Sequence, residues 1–271
     1  MERYGHGSGK VRRHGPRAVQ RSGRLWLGAL AACAMLSSCS QPRPHVMASK
    51  PTPINPATVG EIDGTIYFKG TPPRRQVIHM NEDPVCASEH RGRPVHAEDG
   101  KVNPNGTLPN VFVYLRAGAE KYVFAPPSRP VLLAQKGCMY VPHVLGIQVG
   151  QPLEIISEDP TMHNVHLIAK NNPEWNVSQA PGAPPIFKTF SRPEVMMSAE
   201  CNQHPWMRCY IGAVANPFYA VTGSSGEYAL RGVPAGTYTV EAWTATFGTM
   251  EKSVTVRPKK TTQANFTFQP M

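Results

Sequence analysis

The chain has 271 residues, of which only 17% are charged, and its net charge is +10. More than half of that excess sits in residues 1–38, which carry +6 and leave +4 for the rest. No basic stripe interleaved with aromatic residues follows, and this argues against a nucleic-acid partner. The 28 Pro and 23 Gly exclude long helices and set frequent turns, in a chain long enough for two domains.

Residues 1–24 are polar and basic, and residues 25–38 (LWLGALAACAMLSS) are apolar or small. This run is shorter than a membrane-spanning helix needs and reads as the apolar part of a signal peptide. It ends in Leu36-Ser37-Ser38-Cys39, which resembles the lipobox of bacterial lipoproteins. The resemblance implies a lipid on Cys39 as the mature N-terminus. Ser40 follows where an Asp would hold a lipoprotein at the inner membrane, so outer-membrane sorting is implied. The alternative is an ordinary signal peptide cut nearby, with Cys39 incidental. Either way the expected location is the bacterial envelope, facing the periplasm. Residues 39–60 are rich in Pro and small polar residues and are expected to form an extended tether.

Beyond residue 60 the expectation is all-β. Short β-branched and aromatic runs recur between Gly and Pro clusters: residues 64–68, 111–115, 153–156, 238–242 and 253–256. Such punctuation argues for sandwiches or barrels.

The segment Cys201-Asn-Gln-His204-Pro-Trp-Met207 puts a thiolate, an imidazole and a thioether on one short loop. Upstream, Met162-His163-Asn164-Val165-His166 offers a further imidazole. A thiolate and two imidazoles with a weak thioether select a soft, redox-active ion, copper. Only Glu200 lies beside the loop, so a hard cation is disfavoured. The Cys-x-x-Cys-His of c-type haem attachment is absent. Cys209 leaves a structural Cys2His2 zinc site open as an alternative.

The Cys-x-x-His-x-x-Met loop and the His-Asn-Val-His segment resemble amicyanin and other small cupredoxins over roughly residues 130–216. The run Gly150-Gln-Pro-Leu-Glu-Ile-Ile-Ser-Glu-Asp159 is similar to the family's lead-in to its first ligand. The resemblance implies one type 1 copper ion held by His163, Cys201, His204 and Met207 in a Greek-key sandwich. His163 is then the buried histidine and His204 the exposed one, serving as the electron port. Asn164 is implied to tie the ligand loops together, and Pro205 with Trp206 to form an apolar rim. The implied function is single-electron transfer without catalysis. The implied partner is a redox protein, such as a c-type cytochrome or an oxidoreductase, docking near His204. A non-redox module that binds, stores or senses copper is the competing reading.

Six cysteines are present. With Cys33 in the leader, Cys39 lipidated and Cys201 on the metal, Cys86 and Cys138 remain to form a disulfide in an oxidising compartment. Cys209 is left as a buried free thiol.

From Phe218, a Gly turn, Tyr228-x-Leu230 and Val233-Pro-x-Gly-x-Tyr-x-Val240 resemble the carboxypeptidase regulatory-like, or transthyretin-like, sandwich. Tyr228, Leu230, Tyr238 and Val240 alternate onto one face. The opening strand and Pro-bearing turn of such a domain lie far upstream, in Gly64-Thr-Ile-Tyr-Phe-Lys-Gly-Thr-Pro-Pro73. Residues 61–126 and 217–271 are therefore expected to form one sandwich, with the cupredoxin at 127–216 inserted. Two consecutive domains are the alternative.

Overall fold

The computed structural model describes residues 50–271. The leader, Cys39 and the tether up to residue 49 lie outside the described residues. No helix among the described residues is long and apolar enough to cross a membrane.

In chain order, β1 (Val59–Phe68) comes first, then a small insert of β2 (Val77–Ile78), α1 (Pro84–His90) and β3 (Val95–His96), then β4 (Phe112–Ala117). β1 alternates in burial, with Ile62, Ile66 and Phe68 turned into a core. The expected tether does not stay free to residue 60. The Thr52 N–H donates to the Val123 carbonyl at 2.8 Å, and the Val123 N–H donates to the Thr52 hydroxyl at 2.9 Å. The backbone there finds partners in its own chain, and β1 has begun by Val59.

Nine strands follow: β5 (Val131–Gln135), β6 (Tyr140–Val141), β7 (Val144–Gln148), β8 (Pro152–Ser157), β9 (His163–Ile168), β10 (Trp175–Gln179), β11 (Ile186–Thr189), β12 (Glu194–Glu200) and β13 (Arg208–Val214). They form two sheets, ordered β10-β9-β12-β13-β7 and β11-β8-β5-β6. Leu133, Leu153, Ile155, Val165, Leu167, Met197 and Ile211 fill the space between them.

Six more strands complete the chain: β14 (Tyr219–Val221), β15 (Glu227–Pro234), β16 (Gly236–Thr244), β17 (Gly248–Val256), β18 (Thr261–Gln263) and β19 (Phe266–Phe268). They pair with the first strands rather than among themselves alone. β1 takes β15 antiparallel and β18 and β19 parallel, while β4 lies between β14 and β16. Tyr228, Leu230, Tyr238 and Val240 are all buried in the resulting second core. The fold is all-β with two sandwiches, as the strand pattern predicts.

The sandwiches meet at a pair of glycines. Gly146 on β7 and Gly212 on β13 are register partners. A Cβ on Gly146 would lie 2.4 Å from the Tyr219 ring and 2.6 Å from that of Phe112, and one on Gly212 would lie 2.6 Å from Phe112. Bare backbone is what lets the fully buried Phe112 lie against that sheet.

Candidate metal centre

Three elements carry the site. His163 opens β9, Cys201 follows the end of β12, and Met207 immediately precedes β13. Residues 201–207 close on themselves: the Cys201 N–H donates to the Met207 carbonyl at 3.1 Å, and the Met207 N–H donates to the His204 carbonyl at 2.8 Å. A turn this tight can present the side chains at 201 and 204 to the same side, because the adjacent antiparallel strands β12 and β13 fix both its ends.

His163, Cys201 and His204 converge, with one donor atom from each lying within 4.8 Å of the others. The two Nδ1 atoms are 2.9 Å apart, and Cys201 Sγ is 3.7 Å from His204 Nδ1. Each ring directs its other nitrogen at a carboxylate. His163 Nε2 is 2.9 Å from Asp159 Oδ2, and His204 Nε2 is 3.0 Å from Asp83 Oδ2. With the carboxylates accepting Nε2–H protons, each ring in its neutral form presents an Nδ1 lone pair inward. Two such lone pairs and a sulfur, buried together, repel unless a proton or a cation sits among them.

The charges of the metal-free cluster agree with this. Burial pulls His163 down, but hydrogen bonding to Asp159 and Cys201 outweighs it and lifts the ring to about 9. Burial pushes the Cys201 thiol up, but His163 and the backbone N–H groups of Asn164, Gln203 and His204 bring it down to about 6. Burial likewise raises Asp159, while His163 and the N–H groups of Cys138 and Gly137 hold it below the usual carboxylate range. The cluster favours a thiolate beside a positively charged imidazole; a soft cation needs that thiolate and takes the place of the ring proton.

Asn164 links the His163 and Cys201 segments. Its Oδ1 accepts the Asn202 N–H at 2.8 Å and lies 3.3 Å from Cys201 Sγ, and its Nδ2 donates to Asn176 Oδ1 at 2.7 Å. Met207 is fully buried in the same core as Cys201. Pro205 is exposed and, with the half-buried Trp206, borders a groove shared with Val77, His79 and Glu82. His166 stays outside the cluster, 3.3 Å from Asn202 Oδ1.

One expectation needs correction. His204 is not an exposed port, because only 3% of its surface is accessible. The insert of β2, α1 and β3 covers it, with Asp83 closing over Nε2. Cys209 does not join the cluster as a zinc ligand. It packs among the core residues as a fully buried free thiol whose ionisation burial strongly opposes. Strand alternation turns it into the sandwich rather than towards the loop.

A disulfide joins Cys86 on α1 to Cys138 beside β6, and so fixes the insert to the sandwich that carries His163 and Cys201. Asp83 and its helix are the functional elements that the sequence reading missed. A signal was present in Asp83-Pro84, an N-cap residue followed by Pro at the first helical position.

Residues 213–269 match the carboxypeptidase regulatory-like domain, the domain expected from the Val-Pro-x-Gly-x-Tyr-x-Val signature. No curated protein matches the sequence. Among solved structures, partial matches include a copper-containing nitrite reductase from Thermus scotoductus, at 22% identity and TM-score 0.30, covering 37% of this chain and 25% of that one. The chain therefore spans about a quarter of the reductase. A purple cupredoxin from Nitrosopumilus maritimus matches at 18% identity and TM-score 0.26, covering 30% of this chain and 97% of that one. A Cu(I) amicyanin variant matches at 16% identity and TM-score 0.27, covering 37% and 97%.

Proposed function

We propose that this chain is a copper-binding electron-transfer protein, with one ion held by His163, Cys201 and His204 and with the Met207 thioether as a weak further ligand. The observation that carries the reading is the convergence of two Nδ1 atoms and one thiol, with both Nε2 edges already committed to carboxylates. Imidazole and thiolate donors of this kind suit an ion that cycles between Cu(I) and Cu(II), and copper bound here supplies one-electron chemistry.

The chain's own contribution is rigidity. Sheet pairing fixes β9, β12 and β13, Asn164 bolts the two ligand segments together, and the buried surroundings exclude water. Ligands held this firmly need little rearrangement when the charge on the ion changes. We read the protein as a carrier rather than an enzyme, because a closed ligand set leaves a substrate no place to bind. Its partner in this reading is another redox protein. With His204 covered, the accessible approach is over Pro205 and Trp206, whose ring lies 5.1 Å from that of His204, centroid to centroid. In this reading a lipid on Cys39 anchors the protein to the bacterial envelope, facing the periplasm; the apolar run ending in Leu36-Ser37-Ser38-Cys39 supports it.

The test is to add Cu(II) to residues 40–271 and record the visible spectrum beside a Cys201→Ala control. An intense thiolate-to-copper band, absent in the control, is expected. No band, with zinc retained through purification, overturns the copper reading and leaves a structural metal site.

A further inference from the structure

Asp83 stands 121 residues before His204 in the chain, yet its carboxylate contacts the buried face of that ring. Its two oxygens do different work. Oδ1 caps α1, accepting the N–H groups of Val85 at 2.8 Å and Cys86 at 3.1 Å. Oδ2 accepts from His204 Nε2 at 3.0 Å and from the Thr161 hydroxyl at 3.2 Å. Hydrogen bonding to His204, then to the two cap N–H groups and Thr161, outweighs burial and holds the carboxyl down at about 2.

The helix that carries Asp83 is clamped on several sides. Cys86 is bonded to Cys138, His90 Nε2 lies 2.8 Å from the Gly137 carbonyl, and the Trp206 indole N–H donates to the Cys138 carbonyl at 3.0 Å. Trp206 belongs to the ligand loop, so loop and cap share one anchor at residues 137–138. The buried His163 already has a carboxylate partner, Asp159, from the loop between β8 and β9. The cap gives His204 the same kind of partner from a segment of the second sandwich.

We propose that Asp83 is a positioning residue for His204, fixing the tautomer and ring orientation that turn Nδ1 towards Cys201 and His163. This rests on reading the cluster as a metal centre. An imidazole with no partner on one nitrogen can carry its proton on either and can rotate. A carboxylate on Nε2 removes both freedoms, and the orienting group of a metal-bound histidine governs affinity for the ion.

The test uses the full chain and two variants that keep a helix cap. Asp83→Ser supplies one capping oxygen and withdraws the second. Asp83→Asn, capping through its oxygen, turns an amide N–H towards His204 Nε2 and so favours the opposite tautomer. Nitrogen-15 spectra of the histidines are recorded on metal-free protein with the rings neutral, and Cu(II) affinity is then measured by competition with a chelator. Wild type is expected to show His204 as a single Nε2–H tautomer, Asp83→Ser a mixture, and Asp83→Asn a shift towards Nδ1–H. Both variants should lose roughly 10–100-fold in copper affinity with melting temperatures near wild type. A wild-type ring protonated at Nδ1, or variants with unchanged tautomer or unchanged affinity, overturns the proposal. Wild type that takes up no copper at all refutes the metal reading instead, and the tautomer spectra still decide what Asp83 does to His204.

Discussion

Asn164 Oδ1 lies 3.3 Å from Cys201 Sγ while accepting the neighbouring Asn202 N–H at 2.8 Å. One buried side chain therefore joins β9 to the start of the ligand loop. Its Nδ2 extends the link to Asn176 on β10. Truncation by Asn164→Ala removes a buried amide and leaves the part-buried Asn202 N–H without its acceptor. The expected loss in metal-free stability is about 1–3 kcal/mol. Urea unfolding checks this, and an unchanged midpoint means that water replaces the amide at no cost.

The interface between the sandwiches offers a steric test. A methyl group on Gly146 falls within 2.4 Å of the Tyr219 ring and 2.6 Å of the Phe112 ring. Both rings are packed, and Phe112 is fully buried, so neither has an easy retreat. Gly146→Ala is expected to cost about 1–3 kcal/mol through overpacking. Thermal melts of the two proteins side by side show whether the junction absorbs the methyl group.

Glu194 gives the fold an acid-sensitive joint away from His163, Cys201 and His204. Its carboxylate accepts the N–H groups of Lys170, Asn171 and Asn172 and the Asn172 side-chain amide. Burial raises its pKa, but these donors outweigh burial and leave it below its ordinary value of 4.5. A folded-state value below the unfolded one adds stability above about pH 4.5 that is lost as pH falls through the folded value. Glu194→Gln removes that contribution, so the variant's stability should decline less steeply with acid. Identical acid limbs for wild type and variant would contradict the assignment.

How much of this site was legible in the sequence follows from chain distance. Cys201, His204 and Met207 sit within seven residues, so their donor chemistry could be read directly. Asn164 is adjacent to His163, and the family resemblance implied that it ties the two loops together. Asp83 was invisible as a partner of His204, because no local pattern ties residues so far apart. The exposure of His204 was misjudged for the same reason: its surroundings come from the insert between β1 and β4, not from the loop that carries it. The strands near the C-terminus were readable because Tyr228, Leu230, Tyr238 and Val240 alternate cleanly. The two-residue strands β2, β3 and β6 carry too few residues for any period to register.

The Cys86–Cys138 disulfide closes a loop of 52 residues. Chain-entropy arithmetic for that length gives about 4 kcal/mol of stabilisation. Replacing both cysteines by Ala should lower stability by about 2–4 kcal/mol, since Ala cannot restrict the unfolded chain. The loss should also loosen α1 over His204, which quenching of Trp206 fluorescence by a small solute reads separately. Full stability in the double variant would mean that the contacts of His90 and Trp206 hold the cap unaided.

Deleting residues 217–271 tests how the second sandwich depends on both ends of the chain. β1 would lose β15, β18 and β19, and β4 would lose β14 and β16, which are all their strand partners among the described residues. Two strands stripped of their ladders would expose buried Ile62, Ile66, Val113 and Leu115 to water. Each such side chain forfeits about 1.5–3 kcal/mol of burial, against a total stability of only about 5–15 kcal/mol for a typical domain. The loss should not stop at this sandwich, because Phe112 and Tyr219 lie against Gly146 and the cap that covers His204 springs from the segment between β1 and β4. The truncated chain is expected to melt at a markedly lower temperature, with residues 59–117 open to limited proteolysis. A melting curve matching wild type, with that segment still protected, would show that the sandwich carrying His163 and Cys201 stands independently of the rest.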